Sequence, residues 1–146
     1  MKIAIGCDKL GVDIKNNLIK IFSEKGHEFT DFGVGPCEDI DYPVVGAKVA
    51  KAVAAGEFDR GILICGTGIG MCITANKVKG AYAAVCHDLY STQRSILSNN
   101  ANIMCMGALV IGPANAEALT EVWLGLTFKP GRSTPKIEKI YALEKE

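Results

Sequence analysis

Ile62-Leu63-Ile64-Cys65-Gly66-Thr67-Gly68-Ile69-Gly70-Met71 carries an apolar strand directly into a thiol and then into a turn that alternates glycine with larger residues. An uninterrupted apolar run of this length reads as a parallel strand buried on both faces. The residues after Cys65 lack side-chain bulk, so their backbone N–H groups can converge on an anionic atom of a ligand. A helix is expected from about Ile69 to Val78, and its unpaired N–H groups add partial positive charge where the thiol sits. A thiolate is favoured at such a place, because a helix N-terminus is one of the few local devices that stabilise it. The same position also suits an inert cysteine filling the end of a strand, and the residues alone leave both readings open.

Working outward, short strand-like runs alternate with segments of helical period. Lys2-Gly6, Glu28-Phe32, Gly61-Cys65, Ala81-Cys86 and Asn102-Met106 read as five strands. Ile14, Leu18, Ile21 and Phe22 mark one apolar helix face, and Val45, Val49 and Val53 mark another after Pro43. Further helices are expected over Leu89 to Leu97, Ala114 to Leu124 after Gly112-Pro113, and about Pro135 to Leu143. Strict alternation predicts a three-layer, Rossmann-like α/β fold with a five-stranded parallel sheet and helices on both faces. In such sheets the loops after the strands meet at one edge. Cys7-Asp8-Lys9, Phe32-Gly33, the glycine turn, His87-Asp88 and Gly107 are therefore expected on one surface.

The 146 residues form one expected domain spanning 1–146, with 49% hydrophobic and 22% charged content, which places the chain among ordinary globular proteins. Sixteen basic residues balance sixteen acidic ones, an argument against nucleic acid or an anionic membrane as partner. No stretch approaches the ~20 apolar residues of a membrane span, and a cytoplasmic location is expected. Cys7, Cys37, Cys65, Cys72, Cys86 and Cys105 show no Cys-x-x-Cys spacing, and His27 and His87 are the only histidines, so neither a zinc site nor a thioredoxin-like centre is supported. The glycine turn departs from the dinucleotide fingerprint, since Met71 stands where a glycine is needed, and it has no Walker lysine.

Other chemistry-bearing residues each have two readings. Asp8 and Lys9 can hold sugar hydroxyls and an anionic group, or simply form a solvated turn. Asp41-Tyr42-Pro43 suits a helix start, and Tyr42 equally suits a pocket wall. Ser98-Asn99-Asn100-Ala101-Asn102 is rich in amides for a helix-to-strand connection and also fits a helix C-terminal turn. Arg132 and Lys136, four apart, can aim two cations at one phosphate or mark an exposed face. His87 either lines the cleft or serves as a polar group at a strand end. His27 is expected at the surface and Cys72 in the core.

Taken together, Ile3-Ala4-Ile5-Gly6-Cys7-Asp8, Asp41-Tyr42-Pro43, the run from Asp59 to Gly70, Ala75-Asn76-Lys77-Val78, Cys86-His87-Asp88, Gly107, Ile111-Gly112 and Gly131-Arg132 resemble the ribose-5-phosphate isomerase B family, which includes the galactose-6-phosphate isomerase subunits. The resemblance implies an aldose-ketose isomerase of a small phosphorylated sugar, acting through an enediolate without metal or organic cofactor. It implies a homodimer with sites at the subunit interface, open to further pairing into a tetramer, and a C-terminal helix of about 135–143 packed at that interface. By the same resemblance Cys65 is the base, while the N–H groups of Gly66, Gly68 and Gly70 cradle the enediolate oxygen. Thr67 and Asp8 handle sugar hydroxyls, Tyr42 lines the pocket, Asn99 of the partner chain binds the carbonyl end, and Arg132 holds the phosphate.

Family members that act on ribose 5-phosphate usually carry a histidine where this chain has Lys9, and another, assigned to opening the furanose ring, where it has Ser98. Arginines common at the positions of Leu109 and Lys136 are absent or altered. Lys9 is expected to restore one lost cation. Four-carbon 4-phosphates have no ring to open, and Leu97-Ser98-Asn99-Asn100-Ala101 resembles members that isomerise erythrulose 4-phosphate. The resemblance thus implies the ribose 5-phosphate/ribulose 5-phosphate type of reaction, with a tetrose phosphate or another unusual sugar phosphate expected in place of ribose 5-phosphate. The alternative is a sugar-phosphate-binding module without turnover, since Ser98 and Leu109 replace groups the family uses.

Overall fold

The computed structural model describes every residue from Met1 to Glu146. The strands are β1 (Lys2–Cys7), β2 (Glu28–Asp31), β3 (Arg60–Cys65), β4 (Ala83–Val85) and β5 (Ile103–Gly107). The helices are α1 (Val12–Glu24), α2 (Tyr42–Ala54), α3 (Ile69–Asn76), α4 (Leu89–Leu97), α5 (Pro113–Gly125) and α6 (Thr134–Ala142), the last running into a 3-10 turn at Leu143–Lys145. The strands pair in parallel in the order β2-β1-β3-β5-β4, the three-layer α/β arrangement expected from the alternation.

The central strands are apolar because both their faces are covered. β1 is buried from Ile3 to Cys7, β3 from Gly61 to Cys65 and β5 throughout. Helices α2 and α3 pack together over one face, while α5 packs against α1 and α4 over the other. Small residues let α2 come close: a Cβ on Gly6 would meet Val45 at 2.6 Å, and one on Gly61 would meet Val49 and Val53 at 3.1 Å. Thirty-one buried residues from all these layers form one contiguous core.

Two element boundaries differ from the sequence expectation for identifiable reasons. The fourth strand was expected from Ala81 to Cys86, but only Ala83–Val85 joins the ladder. The Asn102 side chain takes over at its start, accepting from the Tyr82 N–H at 2.7 Å and donating to the Gly80 carbonyl at 2.8 Å. Helix α3 stops at Asn76 rather than Val78. There the Asn76 amide pairs with the backbone of Ala83 in both directions, at 2.9 Å each, tying the helix end to β4.

One buried charge was not legible in the helical period. Lys15 on α1 is 1% exposed, and its ammonium donates to both Asp31 carboxylate oxygens at 2.8 and 2.7 Å and to the Val34 carbonyl at 2.8 Å. All three of its protons are satisfied, the condition under which a buried ammonium is tolerated. The triad pins the loop after β2, which leads into α2 and so to Tyr42.

Strand order places the chemistry. From β1 the chain goes to β2 on one side and, later, to β3 on the other, so the crevice outside the carboxyl ends of β1 and β3 is a topological switch point. Asp8 leaves β1 there and Cys65 ends β3. Helix α6 returns along the β4 side of the same chain, where the Tyr141 ring lies 4.7 Å from that of Tyr82 and Glu144 accepts from the Gly80 N–H and the Tyr82 O–H at 3.0 Å each. No helix is long and apolar enough to cross a membrane.

Candidate active site

The thiol loop is built by exclusion of side chains. Gly68 caps α3 with φ 78°, a left-handed conformation that L side chains resist. A Cβ there would also lie 2.8 Å from the Met106 backbone. From the other side Gly107 presses on the loop, where an added Cβ would sit 2.5 to 2.7 Å from Thr67 backbone atoms. The turn after β5 completes the clamp, with Ala108 N–H donating to the Cys65 carbonyl at 2.8 Å and Leu109 N–H to the Gly66 carbonyl at 3.0 Å.

Held in this way, the loop aims donors at sulfur. The Gly68 N–H reaches Cys65 Sγ at 3.1 Å, and Cys65 is 4% exposed at the floor of the groove. Thr67 Oγ1 accepts from the Ile69 N–H at 3.2 Å. The N–H groups of Gly66, Thr67, Gly70 and Met71 meet no protein acceptor, so the start of α3 retains donors for a ligand. The groove measures about 440 Å³ and is lined by Asp8, Tyr42, Cys65, Gly66, Thr67, Ile69, Gly70 and Ile73. Tyr42 stands against Gly70, where a Cβ would be 2.5 Å from its ring. Asp8 uses Oδ1 to accept the Leu10 N–H at 2.9 Å.

The remaining expected residues lie elsewhere in the chain. Lys9 turns away to an exposed ion pair with Asp39 at 3.1 Å, a contact worth about 1 kcal/mol at most and readily released. Ser98 caps the C-terminal end of α4. Asn99 lines a separate hollow of about 420 Å³ between α4, β4 and α6, which contains no residue of the thiol loop. Arg132 and Lys136 sit at the approach to α6 and in its first turn, on neither hollow, and neither pairs with a carboxylate. The apolar wall of the groove, Ile69 and Ile73 on the outer face of α3, was not singled out from the sequence, although their four-residue spacing on one helix face was visible there.

His87, left between two readings by the sequence, has a definite position. Its Nε2 accepts the Gly107 N–H at 2.8 Å, and burial pushes its pKa below the usual imidazole value against the opposing pull of Asp88. On the far side of α3 the Cys72 thiol is lowered to about 7, chiefly by a hydrogen bond from Cys105, while burial pushes Cys105 and Cys86 up. No group of three or more His, Cys, Asp or Glu side chains is arranged to hold a metal ion.

A thiol set against unpaired amide donors at the switch point of a parallel sheet suits proton transfer at a carbon next to a carbonyl, the task of the α/β isomerases. The family model described as Ribose/Galactose Isomerase matches residues 3–140, and the chain belongs to that family. It is 51% identical to ribose-5-P isomerase B of Listeria innocua over 146 residues, covering 100% of this chain and 99% of the relative. It is 48% identical to D-erythrulose-4-phosphate isomerase of Pectobacterium atrosepticum over 141 residues, covering 96% and 93%. The solved structure of Clostridium thermocellum ribose-5-phosphate isomerase B superposes with a TM-score of 0.95 at 44% identity, covering 99% of this chain and 98% of that one.

Proposed function

We propose that this chain interconverts the aldose and ketose forms of a small phosphorylated sugar, with Cys65 as the single base. The observation that carries the reading is the Gly68 N–H at 3.1 Å from Cys65 Sγ, with unpaired amides around it in the same groove. The thiolate removes a proton from the carbon beside the carbonyl, and the electron pair moves onto the carbonyl oxygen to give the enediolate. The Gly66 and Gly70 amides stabilise that oxygen. The thiol then returns the proton to the former carbonyl carbon while the hydroxyl proton of the adjacent carbon passes to the first oxygen, leaving the carbonyl on the carbon that gave up its hydrogen. Thr67 and Asp8 Oδ2 hold hydroxyls, and Tyr42 with Ile69 and Ile73 forms the wall.

One protomer does not complete this site, because Ser98, Asn99, Arg132 and Lys136 lie outside its groove. A homodimer in which a second copy brings Ser98 and Asn99 to the thiol loop, with Arg132 and Lys136 at the phosphate, accounts for them. Exposed apolar residues beside the groove support such a face: Ile69 is 55% exposed, Ile73 58% and Leu109 74%. Ile140 and Leu143 leave α6 and the turn after it apolar on the outside, consistent with packing at the same interface. Six free thiols fit a reducing cytoplasm.

The proposed substrate is a four-carbon 4-phosphate. Ser98 cannot act as a ring-opening imidazole, and an open-chain sugar has no ring to open. Identities of 51% and 48% to relatives named for different sugars do not separate the two substrates. The test is proton NMR in deuterated water with ribose 5-phosphate, erythrulose 4-phosphate and allose 6-phosphate, beside Cys65→Ala. Conversion of erythrulose 4-phosphate that depends on Cys65 and takes up solvent deuterium is the expected result. A faster reaction with ribose 5-phosphate overturns the tetrose preference. Absence of exchange with every sugar overturns the isomerase reading.

A further inference from the structure

His87 stands in none of the roles assigned above, yet it makes the one side-chain hydrogen bond to the turn that holds the thiol loop. Gly107 ends β5, and its N–H donates to His87 Nε2 at 2.8 Å. That bond requires a lone pair on Nε2, so the ring is neutral with its proton on Nδ1. From Gly107 the contact continues in two directions. Its Cα lies hard against the Thr67 backbone, and the next two residues, Ala108 and Leu109, donate to the Cys65 and Gly66 carbonyls. The residue before it, Met106, abuts Gly68, whose N–H points at the sulfur.

We infer that His87 is a positioning residue for the thiol base: its neutral imidazole anchors the Gly107 turn, and the turn sets the distance between Cys65 and the Gly68 donor. The inference rests on the isomerase reading only in calling the thiol a base. A proton added at Nε2 puts one donor against another, so the imidazolium repels the Gly107 N–H and loosens the clamp. Asp88, the next residue and the N-cap of α4, is the one charged group acting on the ring and favours the imidazolium. Burial outweighs it and keeps the ring neutral at physiological pH. Positioning therefore holds at neutral and alkaline pH and fails on the acid side.

Wild type, His87→Ala and His87→Gln are compared by steady-state kinetics from about pH 5 to about pH 9, a range that spans imidazole titration. The glutamine carbonyl oxygen replaces Nε2 as acceptor and does not titrate. His87→Ala is expected to lower kcat about tenfold to a hundredfold with KM nearly constant, as a small displacement of a reacting group does. His87→Gln is expected to recover most of kcat and to lose the part of the acid-side fall that follows His87 titration. Unchanged kcat in His87→Ala, or an identical acid limb in His87→Gln, overturns the inference. In parallel, proton-nitrogen NMR of the wild type follows the imidazole together with the Gly107 and Gly68 amides, without needing turnover. Amides that move in step with the ring support the coupling even where no sugar is converted, an outcome that counts against the isomerase reading alone. Amides indifferent to the ring overturn the inference whatever the turnover.

Discussion

The backbone N–H of Gly68 donates to the sulfur of Cys65 at 3.1 Å, and the φ of 78° that permits it belongs to a residue without a Cβ. Gly68→Ala tests both halves of that relationship. The left-handed backbone costs an alanine about 1 kcal/mol, and contact with the Met106 backbone adds to it. Alanine keeps its N–H, but the backbone shift that relieves these contacts turns the donor away from the reacting atom, and the loss of alignment lowers kcat about a hundredfold. A folded Gly68→Ala protein with wild-type kcat would remove the donor from the mechanism.

Much of this loop was legible in the chain because its constraints are local. An apolar run, a thiol and alternating glycines can serve few backbone paths, and β3 ends at Cys65 and α3 begins at Ile69, as the run and the glycines indicate. The clamp behind the loop was not legible, since it joins β5 and His87 to residues about twenty to forty positions away in sequence. Lys15 was hidden for a related reason. It falls beside Ile14 on an apolar face, and only the packed structure supplies Asp31 and the Val34 carbonyl as partners. Arg132 and Lys136, the proposed phosphate cations, lie away from the groove of one protomer, and their spacing in the sequence carries no information about which groove they would serve.

Tyr42 and Gly70 give a second test. A methyl group at Gly70 would lie 2.5 Å from the Tyr42 ring, so Gly70→Ala pushes that ring out of the groove wall. The Tyr42 ring lies in the groove wall against Gly70, and its proposed contribution is shape. Gly70→Ala and Tyr42→Ala are both expected to raise KM about tenfold while changing kcat less. Equal losses in kcat and kcat/KM would instead place Tyr42 in contact with the transition state.

The two partners of the buried triad differ in what their loss leaves behind. Asp31→Ala strands the Lys15 ammonium in the core with one carbonyl, and costs about 3 kcal/mol. Lys15→Met replaces a buried charge by an apolar side chain of similar length, while Asp31, whose side chain is 41% exposed, regains water. Only the Val34 carbonyl loses its donor, at about 1 kcal/mol. Urea denaturation of both variants checks the order. A larger loss in Lys15→Met would mean that the ion pair itself, rather than the stranded charge, dominates.

Alkaline stability is set in part by Cys7. Burial pushes its thiol up from 9.0 to about 11. The unfolded chain therefore ionises first, and stability is full below about pH 9 and falls as pH rises toward 11. The shift corresponds to about 3 kcal/mol at most, and Cys86 and Cys105, also raised by burial, act in the same direction. Cys72, lowered to about 7, acts the opposite way, favouring the fold above the ordinary thiol value and losing that contribution as pH falls through 7. Cys7→Ala should be less stable at neutral pH yet lose less between neutral and alkaline conditions, as read from denaturation midpoints. A slope equal to that of wild type would show that Cys7 does not ionise on unfolding in this range.

Ser98 offers a gain-of-function test of substrate preference. Its backbone, at φ −105° and ψ −32°, lies in the ordinary helical region, and its N–H bonds the Arg94 carbonyl at 2.9 Å, so a histidine fits without strain in the main chain. Ring opening of a furanose needs an acid and a base at the ring oxygen and the anomeric hydroxyl, and an open-chain tetrose phosphate needs neither. Ser98→His should therefore raise kcat/KM for ribose 5-phosphate about tenfold, the low end of what a general acid contributes, because an introduced imidazole lacks tuned neighbours. The rate with erythrulose 4-phosphate should stay level or fall slightly as the larger side chain narrows the carbonyl end. Stopped-flow assays started from cyclic ribose 5-phosphate and from its open-chain ketose locate the change in the ring-opening step. An equal gain with both starting sugars would mean that the histidine assists proton transfer instead, and that Ser98 does not select for a substrate without a ring.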